Sequence, residues 1–147
     1  MSDHTTLPWL LRRNAETLTD RPAIREKHRG IWHSVTWGQY FDEVRALALG
    51  LAATGFKRGE HLSVIGDNRP RLDWAQLAAQ CLGGSAVPVY QDSIAAELVY
   101  VLEHAEVSVI VVEDQEQADK ILSFKDKLPH LRLLLSLIHI SEPTRPY

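Results

Sequence analysis

Two spacings of apolar residues alternate along the chain from His61 onward. The segments HLSVIG, SAVPVY and VSVIVVE are rich in Val and Ile and have the length of buried strands. Apolar residues have helical spacing in RLDWAQLAAQCL, IAAELVYVLEHA and QEQADKILSFKDKL. The segment LRLLL begins another strand. A strand that returns through a helix runs parallel to the strand before it, and right-handed crossovers place helices on both faces. The sequence therefore predicts an α/β fold with an open, doubly wound parallel sheet.

Three further elements are predicted before this alternation. The segment TTLPWLLRRNAETLTDRP reads as a short helix capped by Thr6, and AIREK and IWHSV read as an exposed hairpin with Gly30 in its turn. The segment VTWGQYFDEVRALALGLAATG predicts a helix that opens with a capping box of Thr36 and Gln39. We expect this helix to end before Gly55, which suits a left-handed residue beyond the last turn.

Composition and charge are those of one globular domain. The chain has 147 residues, 45% of them hydrophobic, and a formal net charge of −3 without a basic stripe, so we do not expect a nucleic acid partner. The N-terminal residues do not resemble a secretory signal and no apolar run approaches the length of a membrane span, so we expect a cytoplasmic location. Cys81 lies among apolar neighbours in WAQLAAQCLGG, and we expect it to be a buried packing residue.

Ligands of such sheets bind beyond the carboxyl ends of the strands, so the loops there are the places to examine. GDNRP carries only Gly66 where a dinucleotide fingerprint needs three glycines, and Asp67 or Asn68 is more simply the cap of the next helix. Glu113 and Asp114 follow a strand and could bind a ribose or a metal. They also open a helix whose dipole favours negative charge, and this simpler interpretation is preferred.

The loop after SAVPVY gives a similar choice. Of Tyr90, Gln91 and Asp92, Tyr90 could line a pocket, while Asp92 or Ser93 can cap the helix that begins near Ile94.

Other motifs fall short of known catalytic patterns. GLAATGFK has Phe56 where a phosphate loop has lysine, and GGSAV, around Ser85, lacks the closing glycine of a nucleophile elbow. The histidines have no spacing typical of a zinc site, and we expect most of them to be surface or cap residues. They are His4, His28, His33, His61, His104, His130 and His139.

A longer stretch resembles a known family. This stretch is VTWGQYFDEVRALALGLAATGFKRGEHLSVIGDNRPRLDWAQLAAQCLGGSAVPVYQDS. It has a helix after TW, then Gly-x-x-x-Gly-Glu before a strand and Asn68 after that strand. A helix with Trp74, the pair Gly83-Gly84 and a Pro-x-Tyr strand follow. In this order and spacing the features resemble the N-terminal portion of the AMP-forming acyl-CoA synthetases. The segment QDSIAAELVYVLEHAEVSVIVVEDQEQADKIL is most similar to the bacterial long-chain fatty acid–CoA ligases, and the resemblance extends from about Leu7 to Leu134.

This resemblance implies a reaction in two steps. ATP and a fatty acid form an acyl-adenylate and pyrophosphate, and coenzyme A then displaces AMP. It also implies Mg²⁺ and small-molecule partners, and it allows peripheral membrane contact of the whole protein. The family's phosphate loop, magnesium ligand, ribose-binding aspartate and mobile lysine have no counterpart in these residues. No catalytic, cofactor-binding or metal-binding residue is therefore assigned here, and the chain by itself is expected to be inactive.

The C-terminal residues resemble something else. LSLIHISEPTR is similar to the translated adapter of transposase-based DNA library preparation. We therefore expect residues 1–134 to be the truncated N-terminal part of an AMP-binding large domain, with a partial sheet, and residues 135–147 to be a non-native tail.

Two alternatives remain open. The alternating pattern alone also fits a small flavodoxin-like nucleotide-binding or regulatory domain. An adenylate-forming ligase for another carboxylic acid, such as an aryl, amino or shorter acyl substrate, fits the same motifs.

Overall fold

The computed structural model describes residues 6–137. The elements follow one another as the sequence predicts: a helix, a hairpin, a second helix and then alternating strands and helices. The helices are α1 (Leu7–Thr17), α2 (Trp37–Ala53), α3 (Pro70–Cys81), α4 (Ala95–His104) and α5 (Gln115–Ser123), and the strands are β1 (Pro22–His28), β2 (Ile31–Thr36), β3 (His61–Ile65), β4 (Ser85–Val89), β5 (Val107–Val112) and β6 (Leu133–Ser136).

Local side-chain chemistry sets the ends of the first two helices. The Thr6 hydroxyl accepts a hydrogen bond from the Trp9 backbone N–H at 3.3 Å. Thr36 and Gln39 form both bonds of the capping box at the start of α2. Gly55 follows the end of α2 with φ of +88°, a conformation that costs glycine little. These predictions are confirmed.

The hairpin of β1 and β2 turns through two residues. Arg29 and Gly30 both have positive φ, 49° and 81°, which is typical of the tight turns that match the twist of a hairpin. The strands pair antiparallel, and most of their residues are exposed, as expected for a ribbon.

The other four strands form one parallel sheet in the order β4-β3-β5-β6. The chain moves from β3 to β4 on one side and then crosses to β5 on the other side of β3. The direction of winding therefore reverses at the boundary of β3 and β5, which is the topological switch point. The predicted doubly wound α/β class, with a preceding helix and hairpin, is confirmed.

Two apolar clusters cover the two faces of this sheet. Val64 and Val111 face a layer built from α1, α2 and α3, whereas Ile65 and Ile110 face a layer built from α4 and α5. Successive residues of a strand point to opposite faces, so both clusters draw on the same strands. All six residues of β5 are buried. This explains why VSVIVV is apolar almost throughout instead of alternating.

Cys81 departs from its prediction, because the residue is exposed. The buried face of α3 is formed by Leu72, Ala75, Ala78 and Ala79, and Cys81 in the last turn lies off that face. Apolar sequence neighbours did not reveal this, because a helix turns adjacent residues to different sides.

The C-terminal elements differ in length from the prediction. The helix α5 ends at Ser123, and residues Lys125–Lys127 form a separate 3₁₀ turn. The strand β6 continues to Ser136, pairing Leu135 with Val111, and Leu137 is buried. Residues 138–147 lie outside the described residues, and the division of the chain after residue 134 stays a prediction.

Gly66 allows β3 to end in close contact with its neighbours. A Cβ atom at this position would lie 2.6 Å from Cβ of Glu113 and 2.9 Å from Cδ1 of Leu72. Real atoms do not approach so closely, so any larger residue here displaces the end of β5 or the start of α3.

One ion pair joins three elements at the opposite, amino end of the strands. The Arg132 guanidinium donates to both carboxylate oxygens of Glu60, at 3.1 and 2.9 Å, and to the carbonyl of Thr54 at 3.0 Å. Burial acts to raise the pKa of Glu60, but its hydrogen bonds with Arg132, Lys57 and Ser108 and the charge of Arg132 leave that pKa below its ordinary value.

We expect Glu60→Gln to lower the free energy of unfolding at pH 7 by about 1 kcal/mol, because the bidentate pair loses its charge. A lowered pKa means that this stabilisation is complete above the ordinary value of 4.5 and is lost as the pH falls through the lower folded value. The difference from wild type, measured by urea denaturation, should therefore shrink below pH 4.5. Glu16→Gln is the control, since Glu16 and its partner Arg12 are 62% and 69% exposed. Equal effects of the two variants at pH 7 would contradict the prediction.

We expect Gly66→Ala to destabilise the protein by about 1–3 kcal/mol, because the new methyl group overlaps Glu113 and Leu72. Gly50→Ala is the matched control: Gly50 is exposed within α2, with nothing within 4 Å of a Cβ, and alanine should stabilise that helix by roughly 1 kcal/mol. Urea denaturation of both variants measures the contrast. Two changes of the same sign would count against the proposed close packing at Gly66.

Candidate functional site

The candidate site lies at the carboxyl edge of the sheet, at the switch point between β3 and β5. The loop of residues 66–69 leaves β3, and residues 113–114 leave β5. The backbone N–H of Glu113 donates to the carbonyl of Ile65 at 3.0 Å, which continues the pairing of the two strands to their ends. The polar residues singled out in the sequence therefore meet at one place.

Arg69 is the centre of the polar network at this edge. Its Nε donates to Glu113 Oε1 at 3.2 Å, and its Nη1 donates to Glu26 Oε1 at 3.0 Å. The hydrogen bond with Glu26 is the largest effect that raises the pKa of Arg69 above its usual range, with Glu113 adding to it. Glu113 also accepts from the backbone N–H of Asp67, at 2.6 Å. Arg69 thus connects the hairpin to both central strands.

The predicted cap of α3 is wrong. The capping position is taken by Arg69, which makes no side-chain capping bond, and not by Asp67 or Asn68. Pro70 fixes the first helical position, and the residue before a proline favours an extended backbone, which Arg69 adopts. Asp67 instead accepts from Nε2 of Gln91, at 2.5 Å. That partner belongs to the loop after β4, 24 residues away, so no local pattern indicates it.

The loop after β4 is also arranged differently from its prediction. Ile94 occupies the capping position of α4 without a side-chain bond, so neither Asp92 nor Ser93 caps it. Tyr90 is 87% exposed and lies beside a cavity. The backbone carbonyl of Gln91 accepts from Nζ of Lys120 at 2.8 Å, which connects this loop to α5.

The two acids after β5 have separate roles. Asp114 caps α5 by accepting from the backbone N–H of Gln117 at 3.0 Å, which confirms the simpler of its two interpretations. Glu113 does not act on the helix in this way, because both of its oxygens bind the loop after β3.

Two of the cavities at this edge adjoin the segment that leaves β3. The larger, of about 530 Å³, lies between the hairpin and the sheet, and the smaller, of about 240 Å³, lies between the loops after β3 and β4. The polar residues around the larger cavity are Glu26, His28, His33, Arg69, Arg71, Glu113 and Asp114. Since Glu26, Arg69, Glu113 and Asp114 already have protein partners, these residues form a scaffold that shapes the edge.

The histidines are dispersed in the structure. Nδ1 of His61 contacts the carbonyl of Ala105, and His104 stacks on Tyr100 with ring centroids 5.8 Å apart. The ring centroids of His28 and His33 lie 6.4 Å apart. His130 is exposed, and His4 and His139 lie outside the described residues. Within residues 6–137, no group of three or more His, Cys, Asp or Glu side chains is arranged to hold a metal ion.

Sequence analysis missed a further pocket, a groove of about 410 Å³ between α1, α2 and α3. Burial and the charge of Asp73 raise the pKa of Tyr40 to about 12, and burial raises the pKa of Asp73 itself. Trp74, packed against Tyr40, has an indole N–H without a hydrogen-bond partner. In the sequence, the one indication of this groove is a charged residue, Asp73, directly beside Leu72, which is buried in the helix. The groove itself depends on how three helices pack.

No helix in the described part of the chain is both long enough and apolar enough to cross a membrane.

Solved structures of ligases share this fold. The chain superposes with a TM-score of 0.84 on the anthranilate CoA ligase AuaEII in complex with anthranoyl-AMP, at 20% identity, over 95% of this chain and 26% of that one. It superposes with a TM-score of 0.81 on the N-terminal domain of FACL13 from Mycobacterium tuberculosis, at 20% identity, over 91% of this chain and 34% of that one. At this identity the likeness shows the fold.

Curated relatives are similar in sequence. The chain is 30% identical over 141 residues to the long-chain-fatty-acid–CoA ligase ACSBG2 of Xenopus laevis, covering 96% of this chain and 19% of the relative. It is also 30% identical over 110 residues to the long-chain-fatty-acid–CoA ligase FadD15 of Mycobacterium bovis, covering 74% of this chain and 18% of the relative. The chain therefore spans about a fifth of the length of these relatives.

The family model of the AMP-binding enzymes matches residues 11–144, which is most of the chain. The match includes the hairpin, the parallel sheet and the edge where Arg69, Glu113 and Asp67 meet. Sequence motifs, fold and family model agree, and the chain belongs to the AMP-binding enzyme family.

Proposed function

We propose that this chain is the N-terminal part of the large domain of a long-chain fatty acid–CoA ligase. The whole protein would activate a fatty acid with ATP to an acyl-adenylate and transfer the acyl group to coenzyme A. The observation that carries the proposal is the family match over residues 11–144, together with relatives that are long-chain-fatty-acid–CoA ligases. Mg²⁺, a cytoplasmic location and peripheral contact with a membrane belong to the same proposal.

The chemistry of this reaction explains why the described residues do not perform it alone. A carboxylate becomes a good electrophile only when its oxygen is converted to a leaving group, and the negative charge that develops at the phosphate requires stabilisation. In this chain the charged side chains at the switch point, Arg69 and Glu113, bind one another. They hold the hairpin and two strands in position, which is a framework role in the larger domain.

A second candidate keeps the reaction and changes the acid. The anthranilate CoA ligase shares the fold as closely as the fatty acyl ligases do, with TM-scores of 0.84 and 0.82. The fold of this segment therefore does not discriminate an aryl from a long-chain acid. The relatives at 30% identity favour the long-chain acid.

The reading frame itself can be tested first. We expect sequencing of the source DNA across the codon of Leu134, by a method without transposase adapters, to continue into a Ser/Thr/Gly-rich loop that ends in lysine. A genomic frame that encodes LSLIHISEPTRPY and then stops would contradict the truncation and would favour a small nucleotide-binding module.

We expect the purified 147-residue chain to show no fatty-acid-dependent exchange between ATP and pyrophosphate, because the phosphate loop and catalytic lysine are not among its residues. The protein encoded by the continuous frame should catalyse this exchange with long-chain acids and should form their CoA thioesters. Anthranilate and short-chain acids serve as matched substrates. Exchange by the 147-residue chain would overturn the framework role, and a preference for anthranilate would overturn the choice of acid.

A further inference from the structure

The hairpin of β1 and β2 has two chemically different faces. Glu26, His28 and His33 lie on one face and line the cavity next to Arg69. Arg25 and Trp32 lie on the opposite face. The antiparallel register places Arg25 opposite Ser34 and Lys27 opposite Trp32, so this second face carries Arg25, Lys27, Trp32 and Ser34, and we call it the outer face.

The outer face and the adjacent turn combine positive charge with an exposed apolar side chain. Trp32 is 64% exposed, although it is a large hydrophobic residue. Ile31, which is 63% exposed, pairs with His28 beside the turn and therefore belongs to the other face. Nζ of Lys27 lies 5.9 Å from the centroid of the Trp32 ring. None of the ion pairs found within residues 6–137 uses Arg25, Lys27 or Arg29. These three cations therefore face solvent.

The charge of the hairpin is opposite to that of the chain. Within residues 22–36, Arg25, Lys27 and Arg29 outnumber the one acid, Glu26, which is bound to Arg69 on the other face. The whole chain has a formal net charge of −3. Positive charge is thus concentrated where Trp32 is exposed.

We propose that the outer face docks on the surface of an anionic phospholipid bilayer, with Trp32 as its inserted side chain. Indole rings are favoured at the boundary between headgroups and acyl chains. Arg25, Lys27 and Arg29 would lie at the level of the negatively charged headgroups, where each cation adds to the attraction. The hairpin thereby locates the membrane contact proposed above, and this inference does not rest on the ligase activity.

A nucleic acid fits these observations less well. Phosphate backbones are bound by an extended basic surface, and here three cations stand on a chain of negative net charge.

Vesicle co-sedimentation tests the proposal with the 147-residue chain. We expect it to pellet with vesicles of equal parts phosphatidylcholine and phosphatidylglycerol at low ionic strength, and not with phosphatidylcholine alone or without lipid. Arg25→Gln with Lys27→Gln should weaken the binding about 30-fold, since each cation near an anionic surface contributes about a fivefold factor. Lys125→Gln with Lys127→Gln is the matched control, because these exposed lysines lie on the 3₁₀ turn, and it should bind as wild type does.

Tryptophan fluorescence identifies the inserted side chain. Brominated acyl chains should quench the wild-type protein, and Trp32→Phe should abolish most of that quenching while leaving the circular dichroism spectrum unchanged. Lipid-independent pelleting, equal weakening by the two lysine-containing double variants, unchanged quenching in Trp32→Phe, or binding to DNA in place of vesicles would each overturn the proposal. ATP–pyrophosphate exchange is measured without vesicles, on the protein that the continuous reading frame encodes. Failure of the ligase proposal and failure of the membrane proposal are therefore recognised separately.

Discussion

Burial of the two central strands between two layers of helices is the constraint on which the rest of the structure depends. All six residues of β5 are buried, and β3 is buried from Leu62 to Ile65. Strands without a solvent-facing side must be covered on both faces, and helical crossovers meet that need only when the strands run parallel. Because the crossovers are right-handed, helices cover both faces only if the direction of winding reverses, and it reverses between β4 and β5. The candidate site lies at this reversal.

The carboxyl edge of these strands shows how a switch point can serve as a framework. Parallel strands end together, so the loops after β4 and β5 bring Gln91 and Glu113 within hydrogen-bond distance of Asp67 in the loop after β3. Arg69 then connects this edge to Glu26 of the hairpin. Side chains that are matched to one another in this way satisfy their hydrogen-bonding groups and hold the backbone in place. This arrangement agrees with the framework role proposed for the segment.

Predictions made from neighbouring residues succeeded where the physical cause was local. Thr6, Thr36 and Asp114 cap their helices because a short polar side chain next to free backbone N–H groups satisfies them within one turn. The same rule failed for Asp67 because Pro70 fixes the first helical position and Arg69 therefore takes the capping position, while Asp67 binds Gln91. The burial predicted for Cys81 failed for a different reason: its apolar neighbours in sequence form a buried face of α3 to which Cys81 does not belong.

The sequence by itself determined the order of elements, the doubly wound class and the family resemblance, because hydrophobic period, caps and spaced motifs are written in contiguous residues. Only the tertiary structure decided which residues meet: the bonds of Arg69 to Glu26 and Glu113, the bond of Arg132 to Glu60, and the groove beside Tyr40 and Asp73. The ion pairs join residues that are 43 or more positions apart in the sequence. All of these contacts depend on distances between packed layers. A pattern within one segment contains no information about such distances.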